Sequence, residues 1–514
     1  MPQLSTLDAV LLCGGVFIVG RLLTNKKRPS LPPGPKGYPL IGNLLDIPTS
    51  FEWIEWAKWG EKWGDLLSMS VFGTTIVVIN SYERAVEMLD KKGTVYSDRP
   101  YVPMAMELIE MRDSMGFLPY DKTFKSSRRL FHQELGSSSA VRGFFPAEEH
   151  LARRFLKRVL NNPKELLDHC FQHAGAIILR VAYGYEVEEK NDPFVHIANT
   201  AMDNFNKATA PGAFLVNQMP ILLNVPDWFP GAGWKKLGKS WAKAYWAMVD
   251  VPFEYVKKGL ADGTAGDSFT AKWLKQNISP QEELDLKFAS SSMFGAGGET
   301  SAVTFYVFFL AMCMHPEIQK RAQVEIDTVV GPDRLPTFED RVHLPYVEAV
   351  CKETMRYHAV VPNGKIISPS LENPVLNLEP GLPHCTATDD VHDGMFIPKG
   401  AIIFPNIWNM THDPNVYKNP MEFNPDRFLG SQPERDPKDI IFGFGRRLCP
   451  GRLLGDASIF ITLAMSLAAF DIQPLKGERP LFLDNKTGIV SHLNPFKCTI
   501  TPRIGREKLA AMVQ

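Results

Sequence analysis

Residues 442–452 read Phe442-Gly443-Phe444-Gly445-Arg446-Arg447-Leu448-Cys449-Pro450-Gly451-Arg452, and this stretch decides the fold. Gly445 and Gly451 allow sharp backbone turns on both sides of Cys449. Pro450 suits the first turn of a helix, and the apolar run that follows (GRLLGDASIFITLAMSLAAF) supplies one. Cys449 is therefore expected at a helix N-terminus, where backbone N–H groups and the dipole favour thiolate over thiol. Arg446 and Arg447 are expected to add positive charge beside it. A lone cysteine is more often a buried free thiol or a redox sensor, but the flanking pattern argues against both.

A thiolate in an apolar, glycine-ringed loop with an anion-binding arginine suits an axial ligand to haem iron, the arginine serving a propionate. Composition allows this and excludes other classes. The 514 residues are 45% hydrophobic and 22% charged, which is ordinary for a globular protein. A formal net charge of -1 lacks the basic footprint of a nucleic-acid binder. Seven cysteines, with no C-x-x-C, fit neither a disulfide scaffold nor a zinc ribbon, and point to a reducing compartment. Length alone suggests about three domains at ~150 residues each. Yet no linker, repeat or low-complexity tract appears after residue 45. The order is a strand pair at Leu66–Asn80, helices to about Ala322, short strands over Val361–Pro405, then a helix near Leu453–Phe470.

Two further constellations lie upstream of Cys449. Ala296-Gly297-Gly298-Glu299-Thr300 sits within a helix expected from Gln281 to about Met314. Each interior glycine costs ~1 kcal/mol there, so the pair serves either close helix packing or a local widening over a bound group. Glu353 and Arg356 share one helix face at i, i+3. Alone they would be an ordinary surface ion pair.

The 442–451 stretch matches F-x-x-G-x-R-x-C-x-G, the haem-thiolate signature of the cytochrome P450 monooxygenases, at Phe442, Gly445, Arg447, Cys449 and Gly451. Three more signatures follow the family's order, and the chain resembles that family, particularly microsomal enzymes of filamentous fungi with roles in secondary metabolism or xenobiotic turnover, over essentially its whole length. The resemblance implies a mainly α fold with small β-sheets, the cytochrome P450 fold preceded by an N-terminal transmembrane helix. It implies haem b (iron protoporphyrin IX) with Cys449 as the metal ligand. Phe442 and Gly445 would shape the cofactor loop, and Arg447, Arg128 and His384 (in Gly381-Leu382-Pro383-His384) would hold the propionates. Thr300 would hydrogen-bond dioxygen, and Glu299 would relay protons. Glu353, Arg356 and Arg427 (in Phe423-Asn424-Pro425-Asp426-Arg427-Phe428) would form a buried structural network. One departure stands out. Phe124 occupies the position of the family's tryptophan in W-x-x-x-R, four residues before Arg128, and cannot donate an indole hydrogen bond.

At the N-terminus, Leu7–Leu23 is a marginal membrane span followed by Lys26, Lys27 and Arg28. A buried amphipathic helix is the alternative. Leu31-Pro32-Pro33-Gly34-Pro35 cannot continue a helix and reads as a stiff spacer. The expected division is an anchor over 1–25, a basic, proline-rich hinge over 26–45, and one catalytic domain over 46–514. The protein is then single-pass in the endoplasmic reticulum membrane, with the catalytic domain cytoplasmic.

Residues 365–381 do not fit. The family is compact here, whereas this chain inserts KIISPSLENPVLNLEPG. Codons GGTAAG at Gly364-Lys365 and CCAG at Pro380-Gly381 would let the insert begin GT and end AG. A retained intron and a genuine surface loop are both open.

The expected reaction inserts one oxygen atom from O2 into a hydrophobic small molecule. No dinucleotide fingerprint or spare domain supplies electrons. By resemblance they come from NADPH through a cytochrome P450 reductase, with cytochrome b5 as a further candidate donor, and lipid as the surrounding partner. Alternatives are a haem-thiolate peroxygenase, isomerase or dehydratase, or a degenerate, non-catalytic haem protein. Candidate pocket stretches are Tyr101–Tyr120, Phe205–Leu215, Met293–Thr304, Ala359–Pro362 and Gly488–His492, all greasy in composition.

Overall fold

Ser279 and Glu282 cap one another. The Ser279 hydroxyl accepts the Glu282 N–H at 3.3 Å, and Glu282 Oε2 accepts the Ser279 N–H at 3.0 Å. With Pro280 supplying the first helical φ, this box starts a 35-residue helix that ends at Met314. From Ala302 to Cys313 every residue of it is buried. A helix apolar on all sides belongs in a core, and the rest of the chain is built around this one.

The structure is a computed structural model describing residues 29–48, 51–189, 191–209, 214–362, 365–367, 377–379, 383–477, 484–486 and 490–514. The expected anchor over 1–25 and the basic residues to Arg28 lie outside the described residues. The helices that frame the site are α1 (Glu52–Trp63), α2 (Lys122–Leu135), α3 (Phe145–Asn161), α4 (Leu166–Tyr183), α5 (Pro193–Thr209), α6 (Gly233–Ala261), α7 (Pro280–Met314), α8 (Pro316–Val329), α9 (Pro345–Tyr357) and α10 (Arg452–Ala469). α4, α2, α6 and α10 all pack on α7. α7 and α10 are long and apolar enough to cross a membrane, but 67% and 72% of those windows are buried inside the fold, so both are core helices.

The sheets are small, as expected. β1 (Leu66–Val71) and β2 (Thr74–Ile79) form a hairpin, closed by Phe72 and Gly73 at φ 47° and 82°. The later strands are β3 (Lys365–Ile367), β4 (Asn377–Glu379), β5 (His384–Cys385), β6 (Asp390–His392), β7 (Met395–Ile397) and β8 (Ile402–Pro405). β8 runs parallel to β2 with Ile76 opposite Ile402, and β5 adds antiparallel with His384 opposite Ile403. The order β1-β2-β8-β5 thus delivers His384 to the sheet edge.

From residue 29 the proline-rich segment is part of this folded unit rather than a free spacer. Pro33 O accepts the Ser68 N–H at 2.9 Å, and Pro32 O accepts the Ser68 hydroxyl at 2.6 Å. A Cβ on Gly34 would lie 1.8 Å from Ser68 O, so only glycine lets the two backbones meet. In the 365–381 insert, β3 and β4 pair antiparallel with Lys365 opposite Glu379. Residues 368–376 and 380–381 lie outside the described residues.

Candidate active site

The loop before α10 folds back on itself through its own backbone. Cys449 N–H donates to Phe442 O at 2.8 Å, which closes the turn around residues 442–449. Gly445 has φ +54°, and a Cβ there would sit 2.1 Å from Leu89 O. Its lack of a side chain is therefore a packing requirement as well as a conformational one. α10 begins at Arg452, just after the cysteine.

The charge around the sulfur differs from expectation. Burial pushes the Cys449 thiol above its ordinary value, opposed by a hydrogen bond from the Gly451 backbone and by Arg128 and Arg452. The Gly451 N–H and the two arginines offset only part of that desolvation. Coordination to a metal is what would deprotonate it. Nor do the adjacent arginines serve the sulfur. Arg446 turns to the Tyr120 hydroxyl. Arg447 donates through Nε to Ser97 O at 2.7 Å and through Nη2 to Leu118 O at 2.5 Å.

These contacts build a cationic cluster. Arg447 Nη1 is buried and has no partner among the described residues. Burial lowers the Arg447 guanidinium to about 10, with Arg128 adding to the fall and Asp98 opposing it. Arg128, on α2, donates to Leu448 O at 2.7 Å. Neither Arg128 nor Arg447 meets a carboxylate within salt-bridge reach among the described residues. His384 Nδ1 lies 2.7 Å from Tyr96 O, and burial, reinforced by Arg99 and Arg447, lowers the ring to about 3. It is a neutral imidazole with Nδ1 as the donor. Phe124 lies under Arg447, ring centre to guanidinium carbon 3.9 Å. The ring supplies no indole donor, but its face holds Arg447 by a cation–π contact.

Arg99 is the member that sequence reasoning missed. It is half-buried, donates through Nε to Gly116 O at 3.1 Å and through Nη1 to Pro383 O at 2.8 Å, and is pulled down by burial and by Arg447. Its only local signal is Ser97-Asp98-Arg99-Pro100, and its partner at Pro383 lies 284 residues away.

Across the core, α7 changes character at Ala296. Ala296 is exposed and Gly297 to Ser301 keep partial exposure, between a buried Gly295 and a buried Ala302. The two glycines divide the roles that the sequence left open. A Cβ on Gly297 would lie 2.4 Å from Ile178 Cδ1 on α4, whereas Gly298 has nothing within 4 Å. The first serves packing and the second leaves space. The helix itself stays continuous, with no break at the glycine pair. Thr300 donates its hydroxyl to Ala296 O at 3.0 Å, and Glu299 is half-buried beside it.

Glu353, Arg356 and Arg427 come together as one buried network. Arg356 grips Glu353 with two bonds, 2.7 and 2.8 Å, both side chains fully enclosed. Arg427 donates through Nε to the same carboxylate at 3.2 Å and through Nη1 to Glu434 at 2.6 Å. Arg356 also donates to Thr411 O and Glu422 O.

The cytochrome P450 family model matches residues 32–368 and 375–500. Relatives along nearly the full length include cytochrome P450 monooxygenase 208 of Postia placenta, 44% identical over 97% of this chain and 95% of that protein. Cytochrome P450 monooxygenase claR of Ampulloclitocybe clavipes is 41% identical over 95% and 89%. Cytochrome P450 monooxygenase ppsD of Aspergillus oryzae is 38% identical over 97% and 94%. The chain belongs to the cytochrome P450 family, whose members are haem-thiolate monooxygenases. The family match breaks inside the insert, between residues 368 and 375.

The residues present fit haem b. One thiol stands at a loop closed by its own backbone. A buried, unpartnered Nη1 and an arginine cluster lacking carboxylates at Arg128 and Arg447 suit the two anionic propionates. Cys449 would hold the iron, and Arg447, Arg128, Arg99 and His384 would border the propionates.

Proposed function

We propose that this monooxygenase is membrane-anchored in the endoplasmic reticulum, takes electrons from NADPH through a flavoprotein reductase, and oxidises a hydrophobic secondary metabolite or xenobiotic. Haem b supplies the centre at which O2 is reduced and one oxygen atom is passed to a C–H bond. The chain's own residues do the rest. Cys449 would hold the iron through its sulfur. Gly298 keeps the space beside α7 free. Thr300, whose hydroxyl rests on Ala296 O, and the Glu299 carboxylate next to it hold and move protons at the α7 face. Apolar side chains exclude water. Met111, Met115 and Phe117 are buried in the 110–120 loop, and the Phe117 ring meets Phe205 of α5 edge-on at 5.8 Å.

The observation that carries this reading is the pairing of a backbone-closed cysteine loop with an α7 segment, Ala296–Ser301, that gains exposure between a buried Gly295 and a buried Ala302. Its test is the carbon monoxide difference spectrum of the reduced protein. A thiolate-type Soret band, lost in Cys449→Ser, is expected. Folded, haem-loaded protein without that band would refute it. Product formation from hydrogen peroxide that ignores the reductase would overturn the electron route and favour a peroxygenase.

A further inference from the structure

Hydroxyl groups on α7 normally fold back onto their own helix. Ser290 donates to Leu286 O at 2.8 Å, Ser291 to Phe288 O at 3.1 Å, Thr300 to Ala296 O and Thr304 to Thr300 O, both at 3.0 Å. Ser292 does not. Its Oγ turns outward, accepts the Met115 N–H at 3.1 Å and faces Ser114 Oγ at 3.5 Å. That last distance is at the limit of hydrogen bonding. The Ser292 lone pair is used by Met115, but its proton and that of Ser114 are weakly engaged. Two hydroxyls therefore stand together with donor capacity to spare.

The loop that carries Ser114 buries three apolar side chains, Met111, Met115 and Phe117. Ser292 also shares a helix face with Ala296 and Glu299, at i, i+4 and i+7. Ala296 is the exposed residue that marks the open stretch of α7. The serine pair and the oxygen-handling residues thus look along one side of one helix. Eight residues separate Ser292 from Thr300, a rise of about 12 Å.

Resting on the reading of the site as a haem monooxygenase, we propose that Ser292 and Ser114 form a polar anchor for substrate. The pair would bind a hydroxyl or carbonyl oxygen at one end of an elongated apolar molecule, placing at the haem a carbon on the order of 12 Å from that oxygen. In a greasy cavity one such contact sets orientation, and with it the position that is oxidised. The anchor needs no charge, so amines and carboxylates gain nothing from it.

A molecular ruler tests this without knowledge of the natural substrate. 1-Alkylimidazoles bind haem iron through the ring and extend a tail into the cavity. Their dissociation constants are compared, by ultraviolet–visible titration of the full-length protein, with those of 1-(ω-hydroxyalkyl)imidazoles of equal length. At one matched length the hydroxyl is expected to tighten binding about fivefold, the worth of a net hydrogen bond. Ser292→Ala and Ser114→Ala should each remove that gain, and Ser292→Thr should keep it. A hydroxyl that helps at no length, or helps equally in both alanine variants, overturns the proposal. So does an equal weakening of both probe series in Ser292→Ala, which would make Ser292 a loop latch only. Failure of the haem reading is separate: neither series would then give an iron-ligation shift, and the carbon monoxide band would be missing.

Discussion

The Arg447 guanidinium carbon lies 3.9 Å from the centre of the Phe124 ring. That contact, with the Ser97 and Leu118 carbonyls, leaves Nη1 as the free corner of the arginine. A desolvated cation–π pair is worth about 2 kcal/mol. Phe124→Ala should accelerate haem loss several-fold, measured as transfer to a scavenging apoglobin. Phe124→Trp should hold haem at least as well as the native chain. Equal retention in all three proteins would show that the ring does not position the arginine.

The glycine pair predicts opposite outcomes one residue apart. Gly297→Val drives a side chain into Ile178 and should destabilise by ~1–3 kcal/mol. Gly298→Ala meets open space, and the helix should gain up to ~1 kcal/mol. Thermal unfolding reads both. Turnover or ligand affinity should nonetheless fall in Gly298→Ala, because the added methyl fills part of the open space at that position. A stabilised Gly298→Ala with undiminished ligand binding would place that space outside the pocket.

Glu353 is shared by two buried arginines, so its removal takes the paired carboxylate from Arg356 and leaves Arg427 to Glu434. Glu353→Gln should cost ~3–5 kcal/mol and lower the yield of haem-loaded protein. Glu434→Gln, on the wetter side of Arg427, should cost clearly less. Comparable losses in the two variants would contradict the arrangement.

Glu148, buried on α3 against Ser458, is pushed up to about 8 by burial, the Ser458 bond and Arg341 opposing. Its folded pKa exceeds its unfolded one, so between about 4.5 and 8 the native state binds more protons than the unfolded state. Stability contributed here is therefore present at low pH and lost as pH rises through that window, amounting to a few kcal/mol at the alkaline end. Glu148→Gln should flatten the fall of melting temperature between pH 5 and 9. An unchanged slope would assign the fall to other groups.

The insert makes a structural and a genetic prediction. Lys365 and Glu379 face each other across an antiparallel pair, so the segment leaves and re-enters the fold at neighbouring points. A chain lacking residues 365–381 should fold, bind haem, and keep the β5–β8 pairing. Sequencing the transcript is the companion measurement. A messenger without these codons identifies a retained intron, and one that uniformly keeps them refutes that origin.

Local chemistry was legible in the sequence wherever it acts over a few residues. The helix from Gln281 to about Met314, the strand pair at Leu66–Asn80 and the glycines around Cys449 each declare their backbone. Partnerships across the chain were not legible. Arg99 finds Gly116 and Pro383 only after folding. Likewise, adjacency in sequence placed Arg446 and Arg447 at the sulfur, whereas long side chains reach away from their own backbone to Tyr120, Ser97 and Leu118. Proline content correctly excluded helix at 31–35, but could not show that Gly34 lets the strand of prolines lie against Ser68.

The ties that secure the wall of the pocket to the cofactor side are made to main-chain atoms: Arg99 to Gly116 O, Arg447 to Leu118 O and Ser97 O, and His384 to Tyr96 O. Replacing the side chains at positions 111–118 leaves those acceptors in place. The 111–118 loop can therefore diversify by point mutation while the arginine cluster keeps its acceptors, which frees selection to act on one without the other.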